Sequence, residues 1–202
     1  KRGEPRQTPL SRECTWGPTS TVDVTLGLRY EDWRASDGLR TLGALSIDYP
    51  ERSEQKWSPK ATLTWRTTPD LTFQARAAKA YRFPTVTELF QSRTTGGYLV
   101  QSDPALKPED ATTFDLSLTR RFDMAGGRAK ASAAIFSEDV SDAIFNQYNV
   151  FQQATFNTSI GRVLTQGLEL NLAAFGMLAQ RFDLDANLVY QHSEIRETAN
   201  NP

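Results

Sequence analysis

Apolar and polar residues alternate with a period of two along most of the chain. In residues 22–30, every second residue from Val22 to Tyr30 is apolar, and the residues between them are polar or glycine. The same alternation occurs in residues 71–77, 114–119, 128–135, 167–172 and 182–190, and less strictly in residues 57–66 and 41–48. Strict alternation is typical of β-strands with one apolar and one polar face. No segment shows a convincing helical stripe, so the sequence predicts an antiparallel all-β chain.

The joins between these strands alternate in length. Short turns are predicted at residues 67–70, 123–127 and 176–179, and long joins at residues 31–56, 82–111 and 140–160. Gly126 and Gly127 can supply the positive φ that a tight turn requires. We therefore expect residues 22–192 to form one meandering sheet in which each strand pairs with the next. Short turns at one end and long loops at the other are typical of outer-membrane β-barrels.

Aromatic residues occur in pairs, eight positions apart, on the apolar faces of three predicted strands. The pairs are Trp57 and Trp65, Phe114 and Phe122, and Phe182 and Tyr190. Eight residues of a tilted strand span roughly 20 Å, which suits two aromatic girdles around an apolar band of about 25 Å. A soluble β-sandwich also alternates by two and also buries large rings, so this pattern alone leaves both folds open.

Arg120 lies on the apolar face of its predicted strand, two positions from Phe122. An arginine on a lipid-facing surface costs about 2–4 kcal/mol at the bilayer midplane but roughly 0–1 kcal/mol near its edge. A position at the rim of the apolar band, beside a short turn, is therefore consistent with a membrane barrel.

Composition excludes several classes of function. The 202 residues carry a formal net charge of −1 and no long run of like charge, which gives no electrostatic footprint for nucleic acid. A single cysteine, Cys14, cannot form a disulfide framework within the chain, and with the single His192 it argues against a nitrogen–sulfur metal site. No apolar run approaches the roughly 18 residues of a transmembrane helix. Lys1–Pro9 has no apolar core, so no signal peptide is expected.

Four carboxylates fall on the polar faces of predicted strands, namely Asp115, Glu169, Asp183 and Asp185. Paired carboxylates can transfer protons or bind a hard cation, but no nucleophile motif accompanies these four. We interpret them as residues that face water and polar side chains. The sequence indicates no catalytic residue, no metal site and no cofactor.

Five short blocks follow one another between residues 82 and 169. They are RFPT with ELF at residues 82–85 and 88–90, DPALKPE at residues 103–109, FDL at residues 114–116, Phe136 with Asp142 and Ile144, and Asn157 with Gly167-Leu168-Glu169. In this order they resemble the TonB-dependent outer-membrane receptor family. Asp103 stands where the family usually has asparagine, and Asp115 and Ser117 replace its usual glutamate and glycine.

The resemblance implies a partial segment of a roughly 22-stranded transmembrane β-barrel whose lumen holds an N-terminal plug domain. Too few strands are predicted to close such a barrel. We therefore expect residues 1–202 to be a fragment of the receptor β-barrel domain, without the plug domain and the remaining barrel strands.

The function implied by the resemblance is transport and not enzymatic chemistry. The parent protein is expected to be a receptor and transporter for a scarce nutrient chelate, most readily a ferric siderophore, in the bacterial outer membrane. The implied partners are the TonB complex, acting through the missing plug domain, the small-molecule ligand and outer-membrane lipid. No nucleic-acid partner is implied.

The predicted loop 82–111 carries the residues with the clearest candidate roles. By the resemblance, we interpret one group as structural: Arg82, Pro84, Glu88, Leu106, Pro108 and Glu109, together with Gly167 and Glu169 at a strand start. Arg82 is expected to pair with Glu88 or Glu109, and the prolines to fix the shape of the loop. The candidate ligand-binding residues are Phe90, Gln91, Arg93 and Tyr98. Gly96-Gly97 is expected to leave Arg93 and Tyr98 on a mobile tip, where binding residues are common.

A second hypothesis is a soluble all-β sandwich that acts as a carbohydrate- or ligand-binding module. The two hypotheses differ in which face of the sheet is covered. A barrel turns its apolar face outward and its charged face into the lumen, whereas a sandwich buries its apolar faces between two sheets.

Overall fold

A computed structural model describes residues 4–36, 38–42, 45–90, 92–95, 98–151 and 154–197. Most of these residues lie in β-strands. The strands are β1 (Glu4–Thr19), β2 (Val22–Ser36), β3 (Gly38–Leu42), β4 (Leu45–Tyr49), β5 (Arg52–Thr68), β6 (Leu71–Arg82), β7 (Arg93–Thr95), β8 (Tyr98–Gln101), β9 (Glu109–Met124), β10 (Gly127–Asn149), β11 (Ala154–Gly176) and β12 (Phe182–Glu197). Two short helical segments, α1 (Val86–Phe90) and α2 (Met177–Gln180), join strands.

Eight long strands form one antiparallel wall. Their order is β1-β2-β5-β6-β9-β10-β11-β12, so each long strand pairs with the next long strand along the chain. Among the described strands, β1 pairs only with β2 and β12 only with β11, and the wall is therefore open. The predicted antiparallel all-β meander is confirmed for these long strands.

β1 was absent from the sequence prediction. Its apolar residues are few, among them Leu10, Cys14 and Trp16, and it contains Pro5 and Pro9. No period of two marks such a segment, yet β1 pairs with β2 from Glu4 to Thr19. The pairing supplies its backbone hydrogen bonds whatever its side chains are, and β1 is an edge strand of the wall, where proline is tolerated.

Two of the predicted long joins were wrong, because the strands continue into them. β2 runs to Ser36 and β5 begins at Arg52, which shortens the join 31–56. β10 and β11 extend so far into 140–160 that only residues 150–153 separate them. The strands lose their alternation there but keep their pairing, since outside an apolar band neither face of a sheet has to be apolar.

The loop end of the wall departs from the predicted meander. β3 and β4 pair only with each other among the described strands and form a separate hairpin. β7 pairs with β8, and β8 pairs in parallel with the start of β11, through Leu99–Gln101 and Ala154–Phe156. β3 and β7 pair with their successors, as expected. Among the described strands, the expectation is wrong for β4, which does not pair with β5, and for β8, which pairs with β11 and not with β9. These four short strands lie within the predicted long joins 31–56 and 82–111.

Tight turns connect the strands at the other end of the wall. Between β9 and β10 the positive φ values belong to Ala125 (52°) and Gly126 (78°), a pair typical of the turns that suit hairpin twist. Gly127 does not have positive φ, so its predicted role is corrected: it is needed for close approach. A Cβ on Gly127 would lie 2.2 Å from the carbonyl oxygen of Phe175, near the end of β11.

The turn between β11 and β12 is built from left-handed backbone. Gly176, Leu178, Ala179 and Gln180 all have φ between 50° and 68°, so α2 is a turn and not an ordinary right-handed helix. Asp183 stabilises this turn, because its carboxylate accepts a hydrogen bond of 2.8 Å from the Gly176 N–H.

One face of the wall is apolar and uncovered. A single cross-strand row joins Trp65, Phe73, Leu118, Ala133, Leu170 and Leu188. The six predicted girdle aromatics share this face by register, and each is at least 37% exposed. The prediction that they share one exposed face is confirmed. No second sheet covers this face within the described residues, which contradicts the sandwich alternative.

The largest buried cluster lies at the loop end, on the opposite face of the wall. It contains Trp33, Ala35, Phe83, Val86, Leu89, Phe90 and Leu106. Trp33 and Ala35 belong to the polar face of β2, so the segment 83–108 folds over that face. None of the described helices is both long and apolar enough to cross a membrane.

Candidate functional site

The polar face of the wall carries ion pairs that run across the strands. The register places Gly27 of β2 between Glu13 of β1 and Lys60 of β5. A Cβ on Gly27 would fall 2.5 Å from the Lys60 Cε, and its absence lets Lys60 lie over β2 and pair with Glu13. Nearer the turns, Arg66 pairs with Asp23 at 2.5 Å. This face is therefore charged but locally neutralised.

Glu31 is the most deeply buried charged residue of this face, with 2% exposure. Its carboxylate accepts hydrogen bonds from Gln7 Nε2 at 2.5 Å, from Arg29 Nη2 at 2.6 Å and from Ser58 Oγ at 3.4 Å. A buried carboxylate is tolerated only when it is paired and hydrogen-bonded in this way. Glu31 lies two residues from Trp33, so the network leads directly into the buried loop cluster.

Arg82 connects both ends of the loop 83–108. Its guanidinium donates to Glu109 from Nε at 2.6 Å and from Nη2 at 3.0 Å, and to Glu88 from Nη1 at 3.1 Å. Glu109 Oε1 also accepts a hydrogen bond of 2.6 Å from the Ile144 N–H of β10. The two carboxylates raise the pKa of Arg82, because the hydrogen bonds with Glu109 and then Glu88 favour its charged form over the opposing effect of burial.

Helix α1 begins with reciprocal hydrogen bonds between Thr85 and Glu88. The Thr85 N–H donates to Glu88 Oε2 at 2.7 Å, and the Glu88 N–H donates to Thr85 Oγ1 at 3.3 Å, which is the capping box of the Thr-x-x-Glu pattern. Burial opposes ionisation of Glu88, but the hydrogen bonds from the Thr85 backbone, Arg82 and the Thr85 hydroxyl outweigh it. They lower the pKa of Glu88.

Stacked rings join the loop segments behind this polar anchor. Phe83 stacks on Trp33 at 5.6 Å between ring centroids, and Phe90 stacks on Tyr49 of β4 at 5.3 Å. Arg52, at the start of β5, donates to the Pro104 and Leu106 carbonyls at 2.6 and 2.8 Å. Pro84 and Leu106 are fully buried and Pro108 is buried.

A polar cavity of about 380 Å³ opens beside this loop core. It is lined by Ser102, Asp103, Gln147, Asn149, Phe156, Asn157 and Thr158. Asn157 is 7% exposed and donates from Nδ2 to the Glu88 carbonyl at 3.4 Å, which ties the cavity wall to α1. Amides, hydroxyls, one carboxylate and one ring can together hydrogen-bond and stack against a polar organic ligand.

Of the four predicted ligand-binding residues, the structure describes the side chain of Phe90. Phe90 is 3% exposed inside the loop core, so its ring has almost no surface to offer a ligand. Gln91 lies outside the described residues. The backbones of Arg93 and Tyr98 lie in β7 and β8, opposite Val100 and Thr95 respectively.

The polar residues that line the cavity at the ends of β10 and β11 were not among the predicted ligand-binding residues. Gln147, Asn149 and Thr158 lie in strand segments that had been interpreted as a loop. Asn157 was recognised only as part of a block. A cluster of amide side chains in residues 146–157 was the one signal in the sequence that could have drawn attention to them.

The sequence blocks around Phe136 and around Gly167-Leu168-Glu169 make contacts within and between neighbouring strands. Phe136 lies directly opposite Gly167, where a Cβ would come within 2.4 Å of the ring. Glu169 accepts a hydrogen bond of 2.9 Å from Asn171. Asp142 has a φ of 53° in the middle of β10, a conformation that aspartate adopts more readily than most residues.

In the part of the chain that the structure describes, no three His, Cys, Asp or Glu side chains are grouped as a metal site would require. Cys14 is exposed on β1. His192, on β12, lies opposite Gln166 on β11.

Comparison with known proteins gives consistent matches over nearly the whole chain. The family model described as "TonB dependent receptor-like, beta-barrel" matches residues 13–202. The iron-regulated outer membrane virulence protein of Vibrio cholerae serotype O1 is 24% identical over an alignment of 183 residues, and the match covers 83% of this chain and 27% of that protein.

Solved structures of low sequence identity share the fold. The copper transporter OprC superposes with a TM-score of 0.76 at 21% identity, over 97% of this chain and 30% of that chain. The hemophore receptor HasR of Serratia marcescens superposes with a TM-score of 0.74 at 18% identity, over 95% of this chain and 34% of that chain. The chain thus spans about a third or less of the length of these relatives.

Proposed function

Because this chain belongs to the TonB-dependent receptor-like β-barrel family, we propose that it forms part of the barrel wall of a receptor that imports a scarce nutrient chelate, favouring a ferric siderophore. The chain is a bacterial outer-membrane protein, and the family consists of transporters and not enzymes. In this proposal the plug domain and the remaining strands lie outside residues 1–202, and the TonB complex acts through the plug.

The observation that carries the proposal is the division of one wall into two unlike faces. The uncovered face is apolar and carries the aromatic residues, whereas the other carries the cross-strand ion pairs and the buried Glu31. Such a wall suits a boundary between hydrocarbon and a water-filled or plugged lumen. The loop core folded over the polar face would then form part of the extracellular mouth.

The polar cavity beside α1 is the surface of this segment that we propose to contact the ligand. Its amides and hydroxyls are suited to hydrogen-bond an organic chelator that already holds its metal. Haem iron and copper commonly take His, Cys or Met ligands. The chain has one His, one Cys and two Met, and none of them lies in residues 82–160 except Met124, at a turn. A preformed ferric chelate therefore suits this segment better than haem or a bare copper ion.

The test is nutrient uptake by cells in which the complete gene is deleted and then restored. Uptake of radiolabelled iron would be measured for a panel of ferric siderophores, with haemin, a copper chelate and cobalamin as the competing ligands. We expect the deletion to abolish uptake of at least one ferric siderophore and the intact gene to restore it. Loss of haemin or copper uptake alone would overturn the proposed ligand, and unchanged uptake of every compound would overturn the transport function.

A second experiment tests the cavity itself. Asn157→Ala and Gln147→Ala in the complete receptor are expected to weaken binding of the imported chelate by roughly fivefold to tenfold each, about the value of one hydrogen bond. Asn187→Ala, on β12 and away from the cavity, is the matched amide control. Equal affinity of all three variants and the wild type would exclude the cavity as a contact.

A further inference from the structure

Arg120 is an exposed cation on the apolar face of the wall. Its direct cross-strand neighbours are Leu71 on β6 and Ala131 on β10, both of which belong to that face. None of the ion pairs formed by the described residues includes Arg120. It lies five residues from Ala125, at the end of the wall that carries the tight turns.

An apolar groove of about 340 Å³ begins one row away from Arg120. Leu118 and Phe73, which pair with each other, border the groove on the side of Arg120. The other lining residues include Trp65, Ala75, Ala133, Ile135 and Leu168. Small side chains lie between large ones here, so the groove is a depression in the apolar face of the wall.

We propose that this groove and Arg120 together bind one anionic phospholipid. The phosphodiester of its headgroup pairs with the Arg120 guanidinium, and one acyl chain lies in the groove. The arginine stands on the turn side of the groove, so the headgroup is at the turn end and the acyl chain extends toward the middle of the wall.

Charge and location select this occupant. An unpaired guanidinium near hydrocarbon is stabilised when its long side chain reaches the headgroup level and meets an anion there. The aromatic residues Phe122, Phe73 and Trp65 stand around Arg120 and the groove, as residues of an interfacial girdle do. The groove itself offers almost no polar group, so it suits an acyl chain better than a peptide, whose backbone would remain without hydrogen bonds.

The experiment uses native mass spectrometry to measure which lipids the complete receptor retains after purification in detergent. Phosphatidylglycerol is the anionic probe and phosphatidylcholine of the same acyl chains is the uncharged probe. We expect wild type to retain phosphatidylglycerol preferentially and Arg120→Gln to lower its retention about fivefold, the effect of roughly 1 kcal/mol per basic residue near an anionic lipid. Arg120→Lys should restore most of the retention, because the charge is kept.

Two further variants separate this site from a general attraction of anions. Arg181→Gln removes another exposed cation of the turn end, one that does not line the groove, and should leave retention unchanged. Ala133→Trp fills the groove without changing charge and should lower retention. The proposal is overturned if Arg120→Gln retains as much phosphatidylglycerol as wild type, if Arg181→Gln loses as much as Arg120→Gln, if Ala133→Trp has no effect, or if both lipids are retained equally.

Discussion

At the scale of single residues, Arg82 joins the two ends of the loop 83–108. Arg82 is the last residue of β6 and Glu109 the first of β9, so their ion pair closes the base of the loop. Glu88 joins the same guanidinium to the beginning of α1. The side chain of Glu109 is only 17% exposed, which limits the access of water to its carboxylate.

Replacing Arg82 with methionine should loosen the loop while leaving the wall intact. Two partly buried carboxylates would lose their common partner, at a cost of about 1–3 kcal/mol. Limited proteolysis of the complete receptor should then cut within residues 83–108 at a higher rate than in wild type. The matched control is Arg34→Met, which removes a more exposed ion pair with Asp32 and should not change the cleavage rate. Equal protection of both variants would contradict the anchoring role.

The lowered pKa of Glu88 predicts how the loop responds to acid. A carboxylate whose folded pKa lies below its unfolded value, near 4.5, stabilises the folded loop fully above that value. This contribution is lost as the pH falls through the still lower folded pKa. The protection factor of α1, which is its hydrogen exchange relative to the intrinsic exchange rate at each pH, should therefore stay constant from neutral pH to about 5 and fall in more acidic solution.

Glu88→Gln provides the control for this acid response. The glutamine keeps most of the size and can still hydrogen-bond Thr85, but it does not titrate. The protection factor of α1 in this variant should be lower than in wild type at neutral pH and change less on acidification. The same acid profile in both proteins would assign the effect to another group.

At the scale of elements, the two faces of one strand can be tested with neighbouring residues. Leu118 lies on the apolar face of β9 and Ser117 on the polar face. Leu118→Arg places a charge in the apolar band and should cost up to about 2–4 kcal/mol of barrel stability. Leu188→Arg on β12, in the same cross-strand row, should behave alike.

The measurement is the amount of folded receptor in outer membranes, together with its unfolding midpoint in denaturant. Ser117→Arg is the control, because it introduces the same side chain one residue away on the polar face. If both leucine variants assemble as well as Ser117→Arg does, the assignment of the lipid-facing side is wrong.

Alternation predicted strands where the wall separates two environments and failed where it does not. Residues 114–119 and 182–190 alternate because one face is apolar, and they lie inside β9 and β12. β1 and the far ends of β10 and β11 are strands because a neighbour supplies their hydrogen bonds, which leaves no period in the sequence. The parallel pairing of β8 with β11 was equally invisible, since it depends on how a loop folds back onto a distant strand.

The candidate site, like the fold, was predictable from the sequence in part. The blocks around Arg82 and Glu109 were visible as motifs, and their pairing followed from charge. Burial of Phe90 was not visible, because its partner Tyr49 lies 41 residues away in a separate hairpin. The polar cavity also combines residues from one loop and two strand ends, which no local pattern connects.

At the scale of the whole molecule, the wall has two free edges and one uncovered apolar face. β1 and β12 each have one strand partner among the described strands. Free edges and a large apolar surface both favour association with other chains in water. Closure by further strands, and lipid around the apolar face, would remove both surfaces from water.

The isolated segment 1–202 should therefore not behave as a soluble monomer. We expect it to elute as a large or polydisperse species without detergent, because its eight long strands cannot close a barrel of about 22 strands. Size-exclusion chromatography with light scattering is the measurement, and the complete receptor in detergent is the control. A monodisperse monomer that unfolds cooperatively in plain buffer would contradict the membrane assignment of the apolar face.

The hydrogen bonds from Arg52 to the Pro104 and Leu106 carbonyls have a consequence for receptor engineering. Loops at the mouth of a barrel are natural units to exchange between receptors in order to change specificity. The loop 83–108 cannot be exchanged by itself, because Trp33 on β2 and Arg52 on β5 contribute contacts that its fold requires. A chimera that transfers only residues 83–108 would leave the ring of Phe83 and two carbonyls without partners. Transfer of the same loop together with Trp33 and Arg52 would carry the complete folding unit into its new host.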